Sequence, residues 1–304
     1  MNYETLYNTI QAYAESTESL FEANIPVFVQ EAETRIYNSV QIPALRKNVT
    51  GTLTAGNQYL SLPNDYLATY SLAVIDSTGN YNYLLNKDVN FMREAFPNPG
   101  QSGVPRYYAL FGSQYGNINE LSYIMAPVPN SGYTVEMHYF YYPPTIVQGQ
   151  ITTLTSIIPG SLYTNGIYQN VALSGGSGNG AIADITVTGQ NVTACNITFG
   201  GNFYVVGDVL ACASIGPSGS GFSVTVDAVS NSTGTSWLGD NYDPVLFYGA
   251  MREAMLFQKQ EQDLISYYEQ KYNEALSQLN RLGTGLERGD SYRDGQARIK
   301  QVNP

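Results

Sequence analysis

The hydrophobic positions change period along the chain, and each change predicts an element. Over residues 3–23, Leu6, Thr9, Ile10, Tyr13 and Leu20 recur at helical intervals with Ala and Glu between them, which predicts a first helix. A second is expected to start after Asn24 or Ile25, with Pro26 near its first position, where the missing N–H costs no helical bond. Val29, Ala32, Glu33, Ile36 and Val40 carry it on, and Pro43 ends it because the residue before a proline is driven out of the helical region.

From Asn48 the period falls to two, in Val49-Thr50-Gly51-Thr52-Leu53-Thr54 and Tyr59-Leu60-Ser61-Leu62, so strands are expected. Pro63-Asn64-Asp65 is turn chemistry, and Ser77-Thr78-Gly79-Asn80 predicts a hairpin joining Tyr70–Ile75 to Tyr81–Leu85. Lys87–Phe96 reads as a short helix before the Pro97-Asn98-Pro99-Gly100 break. Pro105–Phe111, Glu120–Met125 and Tyr133–Tyr142 read as three strands of an antiparallel meander. In the last of these, Tyr133, Val135, Met137 and Tyr139 alternate with Thr134, Glu136, His138 and Phe140, and either face fits a core.

The texture changes sharply at residues 150–233, where Gly, Ser, Thr, Val and Asn dominate and GGSGNGA, FGGNFYVVGD and GPSGSGF punctuate short alternating runs. This reads as an inserted all-β domain with strands at Ala183–Thr188, Val192–Phe199, Val205–Ala211 and Phe222–Val226. After Trp237 the helical period returns, with Asp243 as N-cap and Pro244 in first position. Leu246, Phe247, Ala250, Ala254, Leu256 and Phe257 lead to a break near Gln260–Asp263, then Leu264, Tyr267, Tyr268, Tyr272, Ala275, Leu276 and Leu279 run to a stop at Gly283. The expected fold class is α+β, with N- and C-terminal helices forming a bundle, a central antiparallel β-meander and the inserted all-β domain. The expected domains are a discontinuous core of 1–149 and 234–285, the insert 150–233, and an extended tail 286–304.

Composition narrows the function. Of the 304 residues only 13% are charged, and 26 are Tyr, a residue that buries a large ring while keeping a hydroxyl for an interface rim. The net charge is −11, and no Lys or Arg lies between Arg106 and Arg252, which argues against phosphate binding in mid-chain. Basic residues gather instead at Arg288, Arg293, Arg298 and Lys300, among Glu287, Asp290 and Asp294. That segment reads either as a solvated tail or as a docking peptide for an acidic groove. The N-terminus has neither the basic region nor the apolar run of a secretory signal, no run approaches a membrane span, and Cys195 and Cys212 are too few for a disulfide framework.

Candidate chemistry is sparse. His138 is the one histidine, so multi-histidine metal sites are excluded; Glu136 on its strand face is the available acid–base partner. The Gly-rich turns lack the Lys-Ser/Thr of a phosphate loop and read as turns needing positive φ. Asp184 and Asp208 lie near them, too few for calcium. The Asn-x-Ser/Thr triplets at Asn48, Asn191, Asn196 and Asn231 read as compositional. No catalytic, cofactor or metal residue is expected. Trp237, in SWLGDNYDP with Tyr242, is either a plug at the insert boundary or an interface anchor.

Several segments, in order, resemble phage head-to-tail adaptors of the tail-tubular or gateway type. They are LSLPNDYLATYSLAV, LLNKD, GVPRYYALFGS, ELSYIMAPVPNSGYTVEMHYFYYPPTI and SWLGDNYDPVLFYGAMREAMLFQKQEQDLISYYEQKYNEAL. The resemblance implies a non-enzymatic virion protein of the neck, assembled in the bacterial cytoplasm and closing into a ring of usually about twelve copies. The implied partners are the portal, a tail or further neck protein, and genomic DNA passing through without specific binding; no membrane is involved. Trp237, Tyr242, Arg288, Arg293, Arg298 and Lys300 are the expected partner contacts. The alternative is a virion-attached, adhesin-like module that binds glycan through the insert.

Overall fold

The computed structural model describes residues 1–98, 100–112, 121–212, 215 and 219–288. In chain order, helices α1 (Tyr3–Ala14) and α2 (Ser19–Ser39) lead to ten strands. These are β1 (Arg46–Thr52), β2 (Tyr59–Ser61), β3 (Tyr66–Ile75), β4 (Tyr81–Tyr83), β5 (Leu85–Asn86), β6 (Ser102–Gly103), β7 (Tyr107–Gly112), β8 (Ser122–Ala126), β9 (Val128–Pro129) and β10 (Thr134–Tyr141), with helix α3 (Val89–Ala95) between β5 and β6. Six more follow: β11 (Gln150–Ser161), β12 (Gly166–Ala172), β13 (Asn179–Thr188), β14 (Asn191–Asn202), β15 (Val209–Leu210) and β16 (Ser220–Ser230). Helices α4 (Trp237–Asn241), α5 (Asp243–Phe257) and α6 (Gln262–Arg288) close the chain. The fold is α+β, and none of its described helices is long and apolar enough to cross a membrane.

The chain divides into two compact units, Met1–Val40 with Pro144–Leu282, and Gln41–Pro143 with the end of α6 from Gly283. In the first unit, α1 starts on the Asn2 side chain, which accepts from Thr5 N at 2.9 Å, and stops at Glu15, whose φ of 48° breaks the helix. Only four residues separate it from α2, which begins at Ser19 rather than after Asn24. Pro26 therefore lies inside α2, not at its start. An interior proline removes one backbone bond and crowds the preceding turn, and here the burial of Phe21, Ile25, Phe28, Val29, Ala32 and Ile36 along one side holds the helix through it.

That side packs on α5. Phe21 and Phe28 meet Phe257 with centroids 6.2 and 5.3 Å apart, and Gly249 lets the helices approach, since a Cβ there would sit 3.0 Å from Ala32 Cβ. Arg35 pairs with Glu253 at 2.6 Å. Helix α6 runs antiparallel to α5, tied by Tyr242 to Gln278 and Arg252 to Glu269, and buries Tyr268, Tyr272, Ala275 and Leu279. It does not stop at Gly283; a single interior glycine costs about 1 kcal/mol, too little to end a helix this long. Asp243 is the first residue of α5 and Tyr242 its cap, so the carboxylate caps nothing and faces the Met1 ammonium at 3.9 Å.

The insert belongs to this unit and carries its own core. Sheets β11-β16-β15 and β12-β13-β14 enclose Ala181, Ala183, Ile185, Val187, Val192, Cys195, Leu210, Phe222, Val224 and Val226. Along β13 the inward residues alternate strictly, as one buried face demands. β11 and β14 lie side by side, and across the other seam Ser174 bridges Ala211, so the two sheets nearly close on each other. Of the stretch Val205–Ala211, read as a strand, only Val209–Leu210 is one. Val205–Asp208 is a turn, closed by Asp208 N to Val205 O at 3.2 Å and by Val205 N to the Asp208 carboxylate at 3.0 Å.

The second unit stacks sheet β1-β10-β3-β4 on sheet β2-β8-β7-β5. Between them lie Leu72, Val74, Val135, Met137 and Tyr139 from the first and Tyr108, Tyr123 and Met125 from the second. The inward face of β10 is therefore the one bearing Val135, while Glu136 and His138 face out. β7 and β8 form a hairpin, but β10 does not extend it as a third meander strand; it lies between β1 and β3, pairing Met137 with both Val49 and Leu72.

Candidate partner-binding surfaces

The predicted contacts fall in three places. Trp237 opens α4, held by Ser236, whose hydroxyl accepts from Gly239 N at 3.2 Å, and by Asn241, which donates to Trp237 O at 2.9 Å. Gly239 packs against Met1 O and Ile146, so the short helix is pinned to the N-terminus, and the Met1 ammonium donates to Gly239 O. Trp237 and Tyr242 are half-buried, and the Tyr242 hydroxyl is spent on Gln278 at 2.7 Å. Both are anchored within the fold and offer only part of their rings to a partner. Arg288 is the last residue of α6, distant in sequence from both, and Arg293, Arg298 and Lys300 lie outside the described residues.

His138 and Glu136 are brought together on the outer face of β10, Nε2 to Oε1 3.3 Å apart, with the Tyr81 hydroxyl on the other carboxylate oxygen at 3.1 Å. Both side chains are partly exposed, that of His138 the more so, and the pair is a surface contact on the outer face of β10. The sequence reading missed its neighbours. Tyr81 and Tyr83 stack at 6.4 Å on edge strand β4, and Leu85 follows on β5, the edge of the other sheet, all more than half exposed. Arg46 lies 3.7 Å over the Tyr70 ring and 4.9 Å over Phe140. The period-two spacing of Tyr81, Tyr83 and Leu85 was the available signal.

Among the described residues no three His, Cys, Asp or Glu side chains converge as a metal site. Asp208 is occupied as a brace, accepting from Ser177 N at 3.0 Å, Ser177 Oγ at 2.7 Å and Val205 N at 3.0 Å; Asp184 accepts from Asn170 N at 2.9 Å. Both cysteines are free thiols, and burial pushes Cys195 up to about 11. A groove of about 370 Å³ in the second unit is lined by Tyr59, Met92, Phe96, Ile124 and Met125 with Arg93.

One charged group is buried where the insert leaves the helices. Glu33 on α2 is 3% exposed; its carboxylate accepts from Ile146 N at 2.8 Å and Thr145 Oγ at 2.6 Å. Burial pushes it up to about 7, against the pull of those two hydrogen bonds. Asn231, on the returning strand, donates to Thr145 O at 2.7 Å and Thr235 O at 2.9 Å, stapling the two connections together. Tyr3 reaches the insert through Asn202 at 3.1 Å and packs with Tyr7 on Phe203.

What the described residues present, then, is apolar and aromatic surface with braced carboxylates. No curated protein matches the chain. The sequence profile described as SU10 adaptor protein matches residues 1–179, so the chain belongs to the SU10 adaptor protein family of structural phage proteins, consistent with a head-to-tail adaptor.

Proposed function

We propose that the chain is the subunit of a closed head-to-tail ring that joins the portal to the tail and forms part of the conduit for DNA. The match over residues 1–179 carries this reading. The lack of Lys and Arg between Arg106 and Arg252 supports it, because a channel that must release DNA gains nothing from gripping phosphates. In this reading the N- and C-terminal helices act as a bundle and, with the β-region, form a core of 1–149 and 234–285. The insert 150–233 projects from it, and the tail 286–304 docks on the portal or a neighbouring copy. Trp237 and Tyr242 line a subunit contact; Arg288, Arg293, Arg298 and Lys300 meet acidic surface. The ring is heterologous and closes at about twelve copies.

The adhesin alternative needs aromatic platforms on the insert, since sugars stack on rings. Its exposed large apolar side chains among the described residues are Ile157, Ile158, Leu162, Ile167, Val205, Val206 and Val209, all aliphatic. They suit a protein partner better than a glycan.

Native mass spectrometry of the protein alone and with cognate portal and tail proteins tests the proposal. A closed ring, alone or on meeting the portal, is expected; a monomer in every mixture would overturn it. Truncation after Gly285 should weaken portal binding, and undiminished binding would remove the tail from the account.

A further inference from the structure

We infer that Glu33 is a proton-controlled latch on the insert, locking its connecting segments onto α2 when neutral and releasing them when charged. The geometry places a carboxyl group, closed off from solvent, against the outgoing connection beside the point where Asn231 of the returning one meets Thr145. Its two oxygens hold the outgoing segment at Thr145 and Ile146, and Asn231 on the returning segment holds Thr145 O. Losing those bonds unties residues 145–147 from α2, because Val147 N in turn rests on Thr145 Oγ at 3.2 Å, while Gln148 Nε2 to Ser232 O at 3.0 Å keeps the two connections joined to each other.

Among the described residues no cation answers the charge. Helix α1 brings Tyr3, which feels Glu33, and Tyr7; both are held neutral well above physiological pH, Tyr7 at about 12. Helix α5 brings Arg252 and Glu253, engaged with Glu269 and Arg35. The Met1 ammonium is engaged with Gly239 O and Asp243. From β14 comes only Cys195, in the insert core, and residues 144–149 and 231–236 contain no titratable side chain. A neutral carboxyl keeps both partners, accepting from Ile146 N and donating to Thr145 Oγ. A charged one is satisfied by hydrogen bonds but lacks compensating charge, so opening to water is favoured.

Amide hydrogen exchange of the full chain, corrected for intrinsic rate, reads the latch at Ile146 and Val147. A carboxyl at about 7 when closed and 4.5 when open predicts that opening rises about 30-fold from pH 5.5 to 8.5. The rise should vanish in Glu33→Gln, whose amide keeps one acceptor and one donor in place. Flat protection in the unaltered chain, or the same rise in Glu33→Gln, would overturn the inference. If Glu33→Gln does not fold, carbon NMR titration of the unaltered chain decides. A Glu33 midpoint near 7, tracked by the Ile146 amide, upholds the latch; a midpoint in the ordinary carboxylate range refutes it.

Discussion

The insert and the Gln41–Pro143 unit are both β-rich, yet they differ in how closely their backbones approach and in what their tyrosine hydroxyls bond. The insert's interior is mostly Ala, Val and Ile around Tyr163 and Tyr204, whose hydroxyls accept from backbone at Phe222 N and Ala181 N, and its backbones come together at glycines; a Cβ on Gly200 would stand 2.5 Å from Ile151 O and 2.8 Å from Ile151 N. The other unit sets Tyr and Met among Leu and Val and satisfies its tyrosine hydroxyls through side chains. Tyr123 bonds Thr69, Tyr66 reaches the same Thr69 at 2.8 Å, and Tyr139 donates to Asp65 at 2.9 Å. Asp65 is in turn held by Lys47 at 2.6 Å. A core made by close approach is intolerant of volume; one made by tyrosines is intolerant of lost partners.

Substitutions can break that contrast. The largest effect is expected from Gly200→Ala, whose new methyl meets backbone that has nowhere to go. A loss of about 3 kcal/mol or more in chemical denaturation is expected, and a loss below 1 would mean the seam can spread. Next comes pH. The Glu33 carboxyl, raised by burial to about 7, contributes stability that is full below about 4.5 and is lost as pH climbs to about 7. The 2.5-unit difference corresponds to about 3 kcal/mol, so unfolding free energy should fall across that window in the unaltered chain and much less in Glu33→Gln. Tyr123→Phe removes a buried hydroxyl but leaves Thr69 bonded to Tyr66, so about 1 kcal/mol is expected. Gly51→Ala is the control: a Cβ on β1 would meet nothing within 4 Å, and the change should stay within about 0.5 kcal/mol.

Local signals in the sequence found local structure. The Ser77–Asn80 turn and the hairpin around it form as the side chains dictate, with Asp76 accepting from Thr78 N and Asn80 N at 2.9 Å each. The helical break after Phe257 also falls where the apolar stripe lapses, at Lys259 with φ 53°. What was not legible is non-local. That β10 lies between β1 and β3 depends on partners far away in the chain. β11 and β12 escaped notice because register shifts break the alternation of both, at Thr153 and Ile158 in one and after Tyr168 in the other. Of the candidate contacts, Trp237 and Tyr242 could be found as aromatics at a junction, but the bond from Tyr242 to Gln278 could not. Glu33 did leave a trace, as an acid among the apolar repeats of α2.

The insert enters and leaves on adjacent rungs: Gly149 N donates to Ser230 O at 3.1 Å, and Gln150 is paired with Ser230. Exchanging what lies beyond that rung would leave the doorway itself intact but strip Tyr3 and Tyr7 of Asn202 and Phe203 unless the replacement supplied their like. The socket imposes two conditions on any replacement, a pair of strands one rung apart and a surface that shelters Tyr3 and Tyr7.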